Sequence, residues 1–237
     1  PLKTTGETNT IPCLMFVDDL LLIAKNVDEL ERQTQVINTF LLNNFAITNK
    51  SKTEIIARNH TDTLKSWVKA NKLELQQTIK YLGLTINLNN NWRAHVKNTL
   101  LKMEGKYCTL WKNGLQWGQL NPLTAIELIK KTVIPTMEYG AEVFHLNKTE
   151  VSDINKKMAS FYKRSLNLDS YVPTDWILWE ADQTKIEWAI AKRKTAYWWK
   201  VISSPINTLQ QKIIKYNKSL FRKTLTDNQL IKQLGKQ

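Results

Sequence analysis

Two apolar runs, residues 11–17 and 20–24, flank the adjacent pair Asp18–Asp19. Apolar runs joined by two polar residues predict a β-hairpin, here of buried strands with Asp-Asp at its tip. Asn26 then predicts a helix N-cap, with Asp28 and Glu29 suited to the positive end of the helix dipole. Val27, Leu30, Val36, Ile37, Phe40 and Leu41 keep one apolar face through about Asn43. A strand over 45–48, a polar turn over 49–52 and a returning strand over 53–57 predict a second hairpin. Residues 60–78 suggest a short helix and then a strand over 73–75. Residues 80–86 predict one strand, in which Gly83 permits a bulge or a close backbone approach. Hairpin, helix, hairpin is an α+β order with antiparallel strands.

Beyond Trp92 the apolar period becomes mostly helical. One helix is predicted over about 93–112. A second starts at Asn121–Pro122, a cap followed by proline at the first helical position. It continues through Val133, and Pro135 is expected to kink or end it. Further helices are predicted at about 150–166, 184–202, 206–222 and 227–234. The change of period near the polar run Asn89–Asn91 places a domain boundary, giving residues 1–91 and 92–237.

Charge reinforces that division. The 237 residues suffice for one large or two small domains, and 42% hydrophobic content supports a core. Lys and Arg number 34 against 21 Asp and Glu, a formal charge of +13. Residues 1–91 hold 10 basic and 9 acidic side chains, so the excess lies almost wholly in residues 92–237. Eight of the nine tryptophans lie there too. A basic surface attracts phosphates without reading sequence, and aromatic rings among the charges can stack on bases. A tryptophan core under a solvated lysine face fits the same composition. Cys13 and Cys108 lack the spacing of a metal or disulfide framework and are expected as free core thiols in a reducing compartment. No run approaches transmembrane length, and no signal-peptide pattern opens the chain. The chain opens on Pro1 rather than Met, with the apolar hairpin close behind, which suggests a piece of a longer polypeptide.

The Asp pair is the main candidate for chemistry. Ionised carboxylates among apolar residues need water, a basic partner or a divalent metal. Asp is also a common turn residue, because its side chain bonds its own backbone. Motifs further along bear on that choice. Phe16–Val17–Asp18–Asp19 resembles the Phe/Tyr-Ala/Met-Asp-Asp motif of reverse transcriptases. Asn49–Lys50–Ser51–Lys52–Thr53–Glu54 resembles the Asn-x-x-Lys-Thr-Glu segment that follows it in non-LTR (LINE-type) elements. Tyr81–Leu82–Gly83 is similar to the next landmark. Pro135, Tyr139–Gly140–Ala141–Glu142 and Val143–Phe144 resemble the Pro-x-x-x-Tyr-Gly-x-Glu-x-Trp segment of the helical region beyond. Pro173, Trp179–Glu180–Ala181 and Arg193–Trp198 are similar to its C-terminal part. Five matches in order, over most of the chain, are far more specific than any one alone.

The resemblance implies a partial polymerase palm followed by a mostly helical thumb. It implies RNA-directed DNA polymerase activity in the intact protein, with an RNA template, a DNA primer and dNTPs as partners. Asp18 and Asp19 would be Mg²⁺ ligands of a two-metal nucleotidyl-transfer site. Lys52 would stand near the leaving pyrophosphate. Tyr81, Leu82 and Gly83 would form the primer grip, and the residues after Trp92 would hold the RNA–DNA duplex. It also implies a nuclear or cytoplasmic location.

The departures from the family pattern also matter. A further catalytic Asp and the fingers segment would lie upstream of Pro1, so this chain alone is expected not to polymerise DNA. Val17 replaces the more usual Ala. The C-terminal Cys/His knuckle of many such elements is absent, and His60, His95 and His145 are too scattered to suggest a metal role. Two other classes stay open. One is a remnant that only binds nucleic acid through its basic, Trp-rich segment. The other is a helical adaptor whose basic face merely solvates it.

Overall fold

A computed structural model of the chain describes residues 2–4, 7–11, 13–89, 91–116, 118–205 and 208. Among these the fold is α+β. Its strands are β1 (Leu2–Thr4), β2 (Glu7–Ile11), β3 (Cys13–Phe16), β4 (Asp19–Leu22), β5 (Ile79–Tyr81) and β6 (Leu84–Ile86). They pair only as three antiparallel hairpins: β1–β2, β3–β4 and β5–β6. The helices are α1 (Val27–Asn43), α2 (Asp62–Ala70), α3 (Arg93–Lys112), α4 (Pro122–Leu128), α5 (Pro135–Glu138), α6 (Lys148–Ser165), α7 (Thr174–Glu180) and α8 (Ile186–Ile202). The contacts divide the chain into two compact units, the first running to Asn91 and the second from Trp92 to Ser203.

In the first unit α1 begins where the sequence predicts. The Asn26 side chain accepts the Glu29 N–H at 2.9 Å, and the Glu29 carboxylate accepts the Lys25 N–H at 2.8 Å. The first bond satisfies an amide that the helix itself leaves unpaired, and the second ties the residue before the cap back to the first turn. No residue of α1 is buried, although its apolar stripe includes Val36 and Phe40. The strands of β3–β4 are likewise exposed rather than buried, with Met15 at 70% and Phe16 at 60% of full exposure. Two strands alone cannot cover their own faces. The buried residues described in this unit are Leu64 and Val68 of α2 with Ile79 and Thr85 of β5–β6.

Two strand predictions here are corrected. The expected hairpin over 45–57 does not form. Phe45 takes a left-handed φ of 57° just after α1, and Asn49 caps a single 3₁₀ turn, Lys50–Lys52. The Asn49 side chain accepts the Ser51 N–H at 3.1 Å, so local polar bonding displaces a strand ladder. The strand pairing described for this stretch is one parallel bridge, Ile55 to Leu75. The single strand expected over 80–86 is instead the β5–β6 hairpin, turning at Leu82–Gly83. Positive φ at both Leu82 (46°) and Gly83 (80°) matches the primed turns that suit strand twist. Gly83 therefore serves a turn, not a bulge.

The second unit is helical and has a substantial core. Helix α3 spans the predicted residues and contributes Met103 and Tyr107. Asn121 caps α4, and Pro122 stands at its first position. The helical path does not stop at Pro135. A π-helical turn over Ile129–Val133 precedes it, and the Ile134 N–H reaches back to the Ile129 carbonyl at 3.2 Å. Proline has no N–H to give and crowds the preceding turn, and the wider turn accommodates it. Helix α6 inserts Ile154, Met158, Phe161 and Tyr162 into the core, against Ile177 and Leu178 of α7 and Ile186 of α8. Helix α7 has only seven residues, too few for its period to show in the sequence. The helices predicted at 206–222 and 227–234 lie outside the described residues. Both cysteines are free, but neither is a core residue: Cys13 is half-buried and Cys108 exposed.

Polar side chains lock this core. Buried Asn155 of α6 accepts the Ile186 N–H at 2.9 Å and donates to the Glu187 carboxylate at 2.8 Å, holding the start of α8. The Tyr162 hydroxyl donates to the Gln183 side chain at 2.9 Å, and burial pushes its phenol well up. Glu104 of α3 binds Lys157 and Arg164 of α6. The Arg164 guanidinium also lies 4.2 Å from the Tyr107 ring centroid, a cation–π geometry. Burial would raise the Glu104 carboxyl, but the bonds and charges of Lys157 and Arg164 outweigh it and hold the group below its ordinary value.

Two outcomes follow for stability. Asn155→Ala leaves the buried Ile186 amide unsatisfied and is expected to cost about 1–3 kcal/mol, read as a lower urea midpoint at unchanged slope. A lowered carboxyl contributes stability that is present above its unfolded value and lost as pH falls through the folded one. Glu104→Gln should therefore be less stable than the parent near neutrality, with the gap closing on acidification below about 4.5. Parallel thermal melts from pH 7 to pH 3 check this.

Candidate functional site

The β3–β4 register pairs Phe16 with Asp19, so the two-residue tip is Val17–Asp18 and not Asp18–Asp19. Asp18 occupies the turn and Asp19 opens β4. Both are exposed. Solvent therefore compensates their charge, and burial between apolar runs is not what their chemistry rests on. Val17 carries the unusual backbone, with φ 53°. A β-branched residue is costly there, and such strain concentrates at functional turns.

The Asn49–Glu54 segment gives most of its polar groups to local structure. Asn49 caps the 3₁₀ turn, and the Thr53 hydroxyl donates to the Asn49 carbonyl at 2.9 Å. The Glu54 carboxylate accepts the Lys80 N–H at 3.0 Å. Ile55 and Leu75 pair nearby, and the Gln76 N–H bonds the Ile55 carbonyl at 2.8 Å. Glu54 thus ties this segment to the start of β5–β6, a role that sequence reasoning missed. Its only signal was a carboxylate set among strand-forming residues. Lys52 is left exposed at the end of its turn and forms no ion pair among the described residues.

Tyr81, Leu82 and Gly83 lie together on the second hairpin, Tyr81 paired with Leu84 and Leu82–Gly83 at the tip. The candidates therefore occupy three local structures: Asp18 and Asp19 on β3–β4, Lys52 on the 3₁₀ turn, and Tyr81–Gly83 on β5–β6. The two hairpins are not joined into one sheet. Among the described residues, no group of three or more His, Cys, Asp or Glu is placed to hold a metal. Asp18 and Asp19 supply two exposed carboxylates, a donor type that suits Mg²⁺, which takes few protein ligands and keeps water and phosphate oxygens.

In the second unit, Gly140 has φ 71°, in a turn that leads to buried Ala141 and Phe144. Phe144 packs against Trp92 and His95, with ring centroids 5.9 Å and 5.2 Å away. Burial, then the Lys102 charge, pushes the His95 imidazole down. Glu138 pairs with Arg193 at 2.7 Å, joining the Pro135–Phe144 segment to the Arg193–Trp198 segment. His145 Nδ1 lies 3.2 Å from the Lys194 ammonium nitrogen, whose pKa burial lowers. The second unit's tryptophans divide between the two uses that composition allows. Trp92 and Trp111 pack on the core, whereas Trp176, Trp179, Trp188 and Trp199 are exposed. No described helix is long and apolar enough to cross a membrane.

Comparison with known proteins converges on the same class. Residues 2–86 match the family described as reverse transcriptase (RNA-dependent DNA polymerase), a match that includes Asp18, Asp19, Lys52 and Tyr81–Gly83. The chain is also similar to the retrovirus-related Pol polyprotein from type-1 retrotransposable element R2 of Popillia japonica. The two are 27% identical over 181 residues, 72% of this chain and 24% of that polyprotein. The chain thus spans about a quarter of the length of this relative. No solved structure matches. The two matches together support a non-LTR reverse transcriptase fragment.

The strained tip is open to measurement. Val17→Gly removes the Cβ that disfavours positive φ and should stabilise β3–β4 by about 1 kcal/mol. Slower amide hydrogen exchange at Phe16 and Asp19 is the expected sign, and unchanged exchange would mean that the turn is unstrained.

Proposed function

We propose that this chain is part of an RNA-directed DNA polymerase that copies an RNA template onto a DNA primer. The observation that carries the proposal is the exposed Asp18–Asp19 pair, Asp18 in the hairpin turn and Asp19 opening β4, within the segment that matches reverse transcriptases. The carboxylates of Asp18 and Asp19 would be the residues to hold Mg²⁺. When bound, the metal supplies activation of the attacking 3′-hydroxyl and stabilisation of the leaving pyrophosphate. Lys52, exposed and without an ion pair among the described residues, supplies positive charge toward that pyrophosphate. The tip Leu82–Gly83 presents backbone to the primer, with Gly83 exposed and lacking a side chain to stand in the way. The second unit holds the RNA–DNA duplex through phosphate contacts from its basic excess.

Two exposed carboxylates do not complete a two-metal site, so residues 1–237 by themselves are proposed to bind substrate without extending a primer. A longer polypeptide carrying this segment tests the assignment. With Mg²⁺ and dNTPs, Asp18→Asn and Asp19→Asn should each lower primer extension on the order of 10²-fold or more, with duplex affinity retained. Near-normal extension by both variants would overturn the metal roles. Duplex binding with no extension by the unmutated polypeptide would favour a binding module instead.

A further inference from the structure

Helix α8 has two contrasting faces. Ile186, Ile190, Ala191, Lys194 and Val201 are buried on one. At 100° per residue, Trp188, Lys192, Thr195, Ala196, Trp199 and Lys200 share the opposite face, and all six are exposed. Trp199 is 73% exposed and Trp188 46%. Among the residues of α8, no acidic side chain lies on this face. The helix's one acid, Glu187, is turned to Asn155. Lys192 and Lys200 form no ion pair among the described residues, whereas Arg193 is engaged by Glu138.

Large exposed aromatics normally mark an interaction surface. The charge around them indicates the partner. On and beside α7, the exposed Tyr171, Trp176 and Trp179 sit among Asp169, Asp175, Glu180 and Asp182, which disfavour a polyanion. The α8 face combines the same ring types with lysines only. Indole faces flanked by unpaired ammonium groups fit bases whose faces are free and whose phosphates lie alongside. Bases inside a duplex present edges, not faces, so a double helix does not meet this requirement except at its ends. Trp188 and Trp199 are eleven residues apart, about 16 Å along the helix axis, with Lys192 between them. That span covers a few nucleotides of an extended strand.

We propose that the Trp188–Lys192–Trp199 face of α8 binds unpaired nucleotides of a single strand. The rings stack on bases, and Lys192 and Lys200 neutralise phosphates. The inference goes beyond the polymerase assignment and concerns residues far in sequence from Asp18, so the primer-extension test and this one fail independently.

The test uses the full 237-residue chain and labelled 12-nucleotide single-stranded RNA and DNA probes, with an RNA–DNA duplex of the same length for comparison. For the parent chain, the single strands should bind with quenching of tryptophan fluorescence. Trp188→Ala/Trp199→Ala should weaken single-strand binding by about tenfold or more while leaving duplex affinity within about twofold. Trp188→Phe/Trp199→Phe should restore much of the loss. Lys192→Gln should lower the slope of log affinity against log salt by about one. Because these side chains are exposed, thermal melts of the variants should match the parent. Stronger loss for RNA than DNA, or the reverse, identifies which strand the face prefers. Unchanged single-strand affinity in the double alanine variant overturns the proposal, as does an equal loss for duplex. So does an effect confined to self-association, which would identify the face as a contact between copies.

Discussion

The one-sided burial of α6 is the constraint on which the second unit depends. Ile154, Met158, Phe161 and Tyr162 fill its core, and Asn155 on the same helix supplies the hydrogen bonds that start α8. A buried asparagine with both ends satisfied specifies geometry, because any other approach of α8 would leave the Asn155 side chain and the Ile186 amide unpaired. Glu104, with Lys157 and Arg164, then fastens α3 along the adjoining side of α6. The motif segments of this unit are positioned by that frame. Ala141 and Phe144 anchor one of them, and the Glu138–Arg193 pair joins it to another.

The first unit works on a different principle. Its described core is small, and its motif residues sit where backbone geometry is demanding rather than where burial is deep. Val17 and Leu82 both hold positive φ at hairpin tips. Asn49 and Glu54 cap and tether the segment between them, leaving Lys52 exposed at the end of its turn. Exposed carboxylates and an exposed lysine suit chemistry on a large, charged substrate, since no desolvation has to be overcome before a metal or phosphate arrives.

Much of the helical architecture was legible. Asn26, Asn121 and the long 3.6-residue periods marked α1, α3 and α4, while α6 and α8 differ from expectation by two residues or fewer at each end. The short elements were not. The 45–57 hairpin failed because Asn49 offered the backbone a local alternative. The β5–β6 hairpin was hidden because Leu82 is an unusual residue at a turn that calls for positive φ. Helix α7 escaped because seven residues do not make a period. The candidate residues themselves were legible through ordered motifs, but their settings were not. The exposure of the Asp pair, the division that leaves Asp18 in the turn and Asp19 in β4, and the structural role of Glu54 all depend on strand register and on which neighbours cover the strands.

By itself the sequence determined the α+β class, the long helices, the concentration of basic and aromatic residues after Trp92 and the ordered motifs that resemble those of reverse transcriptases. These are properties of local period, capping and residue type, which need no partner segment. Tertiary structure alone decided that Val17, not Asp19, shares the hairpin tip with Asp18. It also decided which tryptophans enter the core and that α8 keeps an acid-free aromatic face in solvent. Those outcomes turn on which face of each element finds a neighbour, and a one-residue change of register or a quarter-turn of a helix would reverse them.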